Sequence, residues 1–265
     1  MRRRDPVPGG HPAVEPVYAV VLRAAFASFR ALDLDFVVDG QEHVPATGGG
    51  VVVMNHTGYL DYALAGAPFW RPGRRVVRFM AKHEVFAHPL GGPLMRGMRH
   101  IPVDRSAGGP AYTASVEALR RGELVGVFPE GTISRSFELK AFKTGAARMA
   151  QEAGVPLLPV VLWGSQRVWT KGRKRAMVRD GRHVKVAISI GAPRDVAPGA
   201  DVTAATGELK DAMQTQLTAL QAAYGVEPTG PDDRWWLPAR LGGTAPTLAE
   251  AAEIEAAVLA KRAAG

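Results

Sequence analysis

Apolar residues recur along this chain in two registers. Over residues 17–32, Tyr18, Val21, Leu22, Ala25, Phe29 and Leu32 fall on one side of a helix, while Arg23, Ala27 and Arg30 share a narrow opposite face. Short apolar runs at 35–40, 50–54, 76–80, 124–128, 157–162 and 184–190 read as strands, the last with strict alternation. Between them the helical period returns at 112–121, 144–153 and 203–224, each segment closed by Gly122, Gly154 or Gly225. A last helix starts at Thr247, where Thr247 and Glu250 form a capping box. Strands alternating with helices predict an α/β fold: a mixed, largely buried β-sheet flanked by helices, with an N-terminal amphipathic helix and a C-terminal helical tail. The chain divides into an N-terminal arm and amphipathic interfacial helix over 1–34, a main domain over 35–225, and a tail with its helix over 226–265.

The first helix has two readings, a core-packed helix or one lying in a membrane interface with its arginine heads at the phosphates. It does not span a bilayer, which takes about 20 predominantly apolar residues. Residues 17–32 are too short and carry Arg23 and Arg30; residues 155–163 are shorter and contain Pro156 and Pro159. Residues 1–16 are rich in Arg and Pro and lack the apolar run of a secretory signal. Residues 227–244 are rich in Pro and Gly and are expected to wrap the surface, with Trp235 and Trp236 either plugging a groove or resting at a lipid interface.

A length of 265 residues at 46% hydrophobic content suits one large α/β domain with appendages. With no cysteine, thiolate nucleophiles, disulfides and cysteine-ligated metals are excluded. The net charge of +8 calls for an anionic partner: nucleic acid, a membrane surface or a phosphorylated substrate.

Two segments carry candidate chemistry. Asn55-His56-Thr57-Gly58-Tyr59-Leu60-Asp61 follows the apolar run that ends at Met54. His56 then sits at a strand end, the chain turns at Gly58, and Asp61 opens the next helix. If the two side chains meet, the carboxylate accepts the imidazole N–H, fixes the tautomer and steadies the imidazolium during proton transfer. An ordinary histidine, with a pKa of about 6.5, already suits a base at neutral pH. The alternatives are a satisfied core histidine or a surface histidine with an unrelated aspartate; no neighbouring cluster has metal-ligand spacing. Phe128-Pro129-Glu130-Gly131-Thr132 follows another strand. Glu130 and Thr132 are suited to binding hydroxyls, Gly131 permits close backbone approach, and Arg135, Lys140 and Lys143 turn the segment toward an anion. Arg105, just beyond the stretch 100–104, is of the type that forks onto a phosphate. Walker loops and Gly-x-Ser-x-Gly elbows are absent from the sequence, which leaves nucleotide hydrolysis and the usual serine hydrolase unsupported.

Taken in order, these segments resemble the glycerolipid acyltransferases of the lysophosphatidic acid acyltransferase type. His56 and Asp61 match the His-x4-Asp block, 97–105 a second block ending in Arg, 128–132 the Phe-Pro-Glu-Gly-Thr block, and 155–160 a Pro-containing strand. Residues 81–86 and 142–146 also look like family segments, and the likeness covers 36–190. It implies the family fold, an acyltransferase domain over 35–225, and a direct transfer without covalent enzyme intermediate, cofactor or metal. His56 is then the general base and Asp61 its orienting acid. Arg105, Glu130, Gly131 and Thr132 form the site of the acceptor phosphate. Where many members carry Arg after the threonine, this chain has Ile133, so Arg135 becomes the candidate for that contact, with Lys143 beside it. The implied co-substrates are a lipid acceptor, lysophosphatidic acid first, and acyl-CoA or acyl-carrier protein as donor. The implied location is peripheral, on the cytoplasmic face of a membrane.

Under this reading the basic clusters, Arg71, Arg74, Arg75 and Arg78, then Arg167, Lys171, Arg173, Lys174, Arg175, Arg179, Arg182 and Lys185, suit an anionic membrane surface, a CoA phosphate or an acidic carrier protein. Trp163 and Trp169 flank the second cluster as candidates for the headgroup level. Three competitors remain: the same chemistry on another lysophospholipid, a glycolipid or glycerol 3-phosphate; a non-catalytic lipid-binding scaffold; and a basic nucleic-acid-binding protein. The last explains the charge but neither motif, so no specific nucleic acid is expected.

Overall fold

The structure, a computed structural model, describes residues 15–73, 75–104, 108–173 and 183–263. The strands are β1 (Asp35–Asp39), β2 (Gly50–Met54), β3 (Val77–Lys82), β4 (Ile101–Val103), β5 (Leu124–Val127), β6 (Leu157–Trp163) and β7 (Lys185–Ile190). The helices are α1 (Pro16–Ala31), α2 (Asp61–Gly73), α3 (His83–Ala87), α4 (Gly91–Gly97), α5 (Gly108–Arg120), α6 (Gly145–Ala153), α7 (Ser165–Val168), α8 (Val202–Ala222) and α9 (Leu248–Ala263).

All seven strands join one mixed sheet in the order β1-β7-β6-β2-β5-β3-β4. Every pairing is parallel except β6 with β7, so β1 and β7 run against the other five. The central strands β2, β5 and β6 are buried on both faces, which is why they read as unbroken Val/Leu runs rather than alternating ones. Successive residues serve opposite layers. Val51, Val53, Val125, Leu157, Val161 and Trp163 pack with residues of α5, α6 and α8, while Val52, Met54, Leu124, Leu158, Val160 and Leu162 pack with Leu64 and Phe69 of α2 and Phe29 of α1. The Thr247–Glu250 capping box forms as expected, the Glu250 carboxylate accepting the Thr247 amide N–H at 2.8 Å.

The apolar side of α1 lies on the body of the protein. Tyr18, Leu22 and Phe29 are buried, and the Tyr18 hydroxyl donates to Val77 O at 2.8 Å. Arg23, Ala27 and Arg30 face outward. Among the described residues no helix is long and apolar enough to cross a membrane.

The basic clusters require correction. Arg75 and Arg78 are not a surface patch but buried side chains. The Arg75 guanidinium donates to Pro45 O, Gly48 O and Gly122 O at 3.1, 2.6 and 2.9 Å, tying together two loops whose carbonyls lack ladder partners. Arg78 pairs with Glu15 and Glu123 and donates to Met98 O at 2.8 Å. A fork of five donors satisfies several oxygens at once, so a buried guanidinium is tolerated where an ammonium is harder to place. Beside Arg78, His100 Nδ1 accepts the Phe79 amide N–H at 3.1 Å. Burial first, then the Arg78 charge, pushes this imidazole down to about 4, so it is a neutral core histidine.

Arg74 and residues 174–182 lie outside the described residues. In the rest of the second cluster, Arg167 lies over the Trp236 ring at 4.6 Å, Arg173 over Trp235 at 3.8 Å, and Lys185 Nζ donates to Tyr224 O at 2.7 Å. The tryptophan pair of the tail is therefore a plug. Trp236 is fully buried beside Trp163 and Tyr224, which also removes Trp163 from the headgroup level.

Replacing Arg78 by Met removes the buried cation that Glu15 and Glu123 share and leaves them the half-exposed Arg99. We expect a loss of about 3 kcal/mol in urea-unfolding stability, with vesicle binding of the folded protein unchanged. Weakened vesicle binding at unaltered stability would restore Arg78 to a surface role.

Candidate active site

The site grows from the end of β2. After Met54 the Asn55 side chain prolongs the ladder toward β6. Its amide donates to Leu162 O at 3.0 Å, and its carbonyl accepts the Leu162 N–H at 2.7 Å. This pair of hydrogen bonds fixes the backbone one residue before His56. The His56 amide donates to Glu130 Oε1 at 3.0 Å, and His56 O accepts the Ser134 amide at 2.7 Å. The imidazole stacks on Phe128, with centroids 4.1 Å apart and planes inclined by 20°.

Asp61, fully buried, opens α2, where a helix N-terminus favours negative charge. Its Oδ2 lies 2.9 Å from His56 Nδ1 and also accepts the amides of Thr57 at 2.6 Å and Gly58 at 2.8 Å. This contact selects the tautomer with the proton on Nδ1, leaving the lone pair on Nε2. His56 retains 18% side-chain exposure, so the ring is reachable. A residue five positions away meets the histidine only because the intervening chain is a turn, and Gly58 makes that turn fit. A Cβ there would lie 2.9 Å from Trp169 O and 3.0 Å from Ser165 O. The same segment holds the loop through Thr57 Oγ1 to Ser165 Oγ at 3.0 Å, Thr170 Oγ1 to Thr57 O at 2.6 Å, and the Tyr59 amide to Trp169 O at 2.9 Å.

Glu130 is buried, and both its oxygens are engaged: Oε1 by the His56 amide, Oε2 by the Lys140 amide at 3.3 Å. Burial raises its carboxyl to about 7, against the lowering effect of those two amides and the Lys140 charge. Gly131 takes a left-handed conformation, φ 74°, beside the Lys143 side chain. The Thr132 hydroxyl donates to the Glu255 carboxylate of α9 at 3.1 Å, and the same carboxylate receives Lys140 Nζ at 3.2 Å. Arg135 lies against the backbone of Gly172, Lys143 is exposed, and Ile133, at the family's arginine position, is buried. Arg105 lies outside the described residues.

The structure thus brings His56, Asp61 and Glu130 into one network and puts Thr132 in a second, joined to the first through Glu130 and Lys140. Asn55, Thr57, Ser134, Ser165 and Thr170, which hold the histidine loop, have no signature as isolated residues. Glu255 stands 123 positions from Thr132, so no local spacing links them.

The family model described as Acyltransferase matches residues 35–163. The 1-acyl-sn-glycerol-3-phosphate acyltransferase of Bacillus subtilis is 30% identical over 153 residues, covering 55% of this chain and 73% of that protein. The human 1-acyl-sn-glycerol-3-phosphate acyltransferase alpha is 34% identical over 142 residues, covering 52% of this chain and 49% of the relative. The crystal structure of the 1-acyl-sn-glycerophosphate (LPA) acyltransferase PlsC from Thermotoga maritima superposes with a TM-score of 0.64 at 25% identity, covering 78% of this chain and 81% of that one.

Glu130 gives a prediction with a definite sign. Its carboxyl rises from the usual 4.5 to about 7 in the fold, so over that interval the folded protein binds more protons than the unfolded chain. Its contribution to stability is fully present below the lower value and lost as pH rises through the upper one. A Glu130→Gln variant, which does not ionise, should gain on the wild type by on the order of 3 kcal/mol across the interval. Urea unfolding at a series of pH values measures this, and a constant difference between the two proteins would contradict it.

Proposed function

The chain belongs to the acyltransferase family and is an O-acyltransferase; on that premise we propose that it moves a fatty acyl group from acyl-CoA or acyl-carrier protein to the free hydroxyl of lysophosphatidic acid, giving phosphatidic acid. The observation that carries the mechanism is the 2.9 Å contact between His56 Nδ1 and a fully buried Asp61. With its Nδ1 proton held there, His56 takes the acceptor's hydroxyl proton at Nε2 as that oxygen attacks the thioester carbonyl. The tetrahedral intermediate collapses, the C–S bond breaks, and the imidazolium returns the proton to the departing thiolate. Asp61 stabilises the imidazolium that exists between the two transfers. The backbone bonds to Glu130 and Ser134 and the stack on Phe128 keep the ring from turning.

The names of the relatives support lysophosphatidic acid as the acceptor. The same proposal keeps Arg105, Gly131, Thr132, Arg135 and Lys143 as groups facing the acceptor phosphate, with Glu130 as their support. A lipid-facing rim is supported by Tyr59 and Trp169, whose rings meet at 4.7 Å on the histidine loop and are 41% and 40% exposed. Aromatic rings with one polar end favour the headgroup region, which suits a peripheral protein on a membrane surface.

Thiol release from a long-chain acyl-CoA, with lysophosphatidic acid and a panel of other lysolipids as acceptors, tests the reading. His56→Ala should lower kcat by about 10³-fold or more, and Asp61→Asn by about 10²- to 10⁴-fold, with folding checked by Tm. Undiminished turnover in a folded His56→Ala protein removes the general-base role. Arg105→Ala should raise the KM for the acceptor by about tenfold while leaving kcat within a few-fold; the opposite split would assign Arg105 another task.

A further inference from the structure

Resting on that reading of the acceptor, we propose that Glu255 is an internal competitor for the anionic acceptor: its carboxylate occupies the Thr132–Lys140–Lys171 cluster that an incoming phosphomonoester takes, and α9 is displaced when the acceptor binds.

The cluster is a built anion site. Lys140 Nζ lies 3.2 Å and Lys171 Nζ 3.8 Å from the Glu255 oxygens, and the Thr132 hydroxyl donates to them at 3.1 and 3.3 Å. Thr132 in turn accepts from Lys140 Nζ at 2.5 Å, so the hydroxyl proton is directed at the carboxylate. Lys140, Thr132 and Lys171 hold the Glu255 carboxyl below its usual range even though partial burial pulls the other way. The cluster also adjoins the reacting histidine. Lys140 and His56 donate their backbone amides to the two oxygens of one carboxylate, that of Glu130. An anion bound at Lys140 Nζ is therefore connected to the backbone of the base through two side chains, those of Lys140 and Glu130.

The helix that delivers this carboxylate is shallowly seated. Leu248, Ala251, Ile254, Glu255, Val258 and Leu259 fall on one face at helical spacing. Of these only Ala251 is buried, while Leu248, Ile254 and Leu259 are 43%, 38% and 63% exposed. The polar bonds of Glu255 thus make a large share of the attachment, and the carboxylate, 23% exposed, is open to exchange. A phosphomonoester brings three acceptor oxygens and a charge of about −1.5 to −2 at neutral pH, against a single negative charge on Glu255. It is the better partner for two ammonium groups and a hydroxyl. The displacement is an exchange of anions, with no bond made or broken.

The test uses the full chain. Glycerol 3-phosphate binding is measured by calorimetry for the wild type, Glu255→Gln and Glu255→Gln/Lys140→Met. Lysophosphatidic acid in neutral vesicles is measured in parallel, to separate a free phosphomonoester from a lipid headgroup. We expect Glu255→Gln to tighten binding about tenfold and Lys140→Met to cancel the gain. A headgroup-specific site shows the gain in the vesicle arm alone; a general phosphomonoester site shows it in both. In the wild type, saturating ligand should speed amide hydrogen exchange across 251–258. Unchanged or weaker binding by Glu255→Gln in both arms, or unchanged exchange at saturation, overturns the proposal. These readouts need no turnover: a Glu255-dependent gain in a protein that transfers no acyl group sinks the acyltransfer reading and leaves the competitor standing.

Discussion

Asp61 Oδ2 is the atom on which the site depends. It lies out of water at the start of α2 and accepts three donors at once: the imidazole of His56 and the amides of Thr57 and Gly58. Each bond shapes the same turn. The two amides fold the chain back toward the helix, which brings the histidine within reach, and the histidine closes the loop. A buried carboxylate is costly unless paired and hydrogen-bonded. Here the helix terminus and two backbone donors offset much of that cost at Oδ2, while Oδ1 is buried without a hydrogen-bond partner.

Glu130 plays the matching part from the other side. Its two oxygens join the backbone at His56 to the backbone at Lys140, so the histidine loop and the lysine segment are held by one side chain. The raised carboxyl follows from that depth. This coupling gives the Phe-Pro-Glu-Gly-Thr segment a meaning that its composition alone lacks. The glutamate supports both loops from within, while the threonine two residues on, with Lys140, holds the Glu255 carboxylate of α9.

Much of this was legible in the sequence, and the reasons differ by level. The strands at 50–54, 124–127 and 157–163 announce themselves because burial on both faces forces continuous apolar runs. The His56–Asp61 pair was readable because a strand end, a glycine and a helix start leave few geometries for five residues. Depth was not legible. Arg75 and Arg78 count as surface charge by composition, yet they sit inside, because what decides their place is a set of unpaired carbonyls and two carboxylates far along the chain. Trp163 was misplaced for the same reason, its neighbours Tyr224 and Trp236 arriving from the distant tail. The short helices α3 and α4 also escaped notice, since segments of five and seven residues are too brief for a period to show.

The tail plug has a consequence for the order in which the protein takes shape during synthesis. Among the described residues, the layer containing Leu64, Phe69 and Phe29 is complete once Ile190 has been made. The opposite layer also requires Met213, Leu217, Tyr224, Trp236 and Ala245. A nascent chain can therefore finish one side of its sheet while the other still exposes Trp163 and the valines of β2 and β5. Until the segment through Ala245 leaves the ribosome, that uncovered side is an adhesive surface, and the emergence of that segment decides whether it closes on its own tryptophan or on a neighbour.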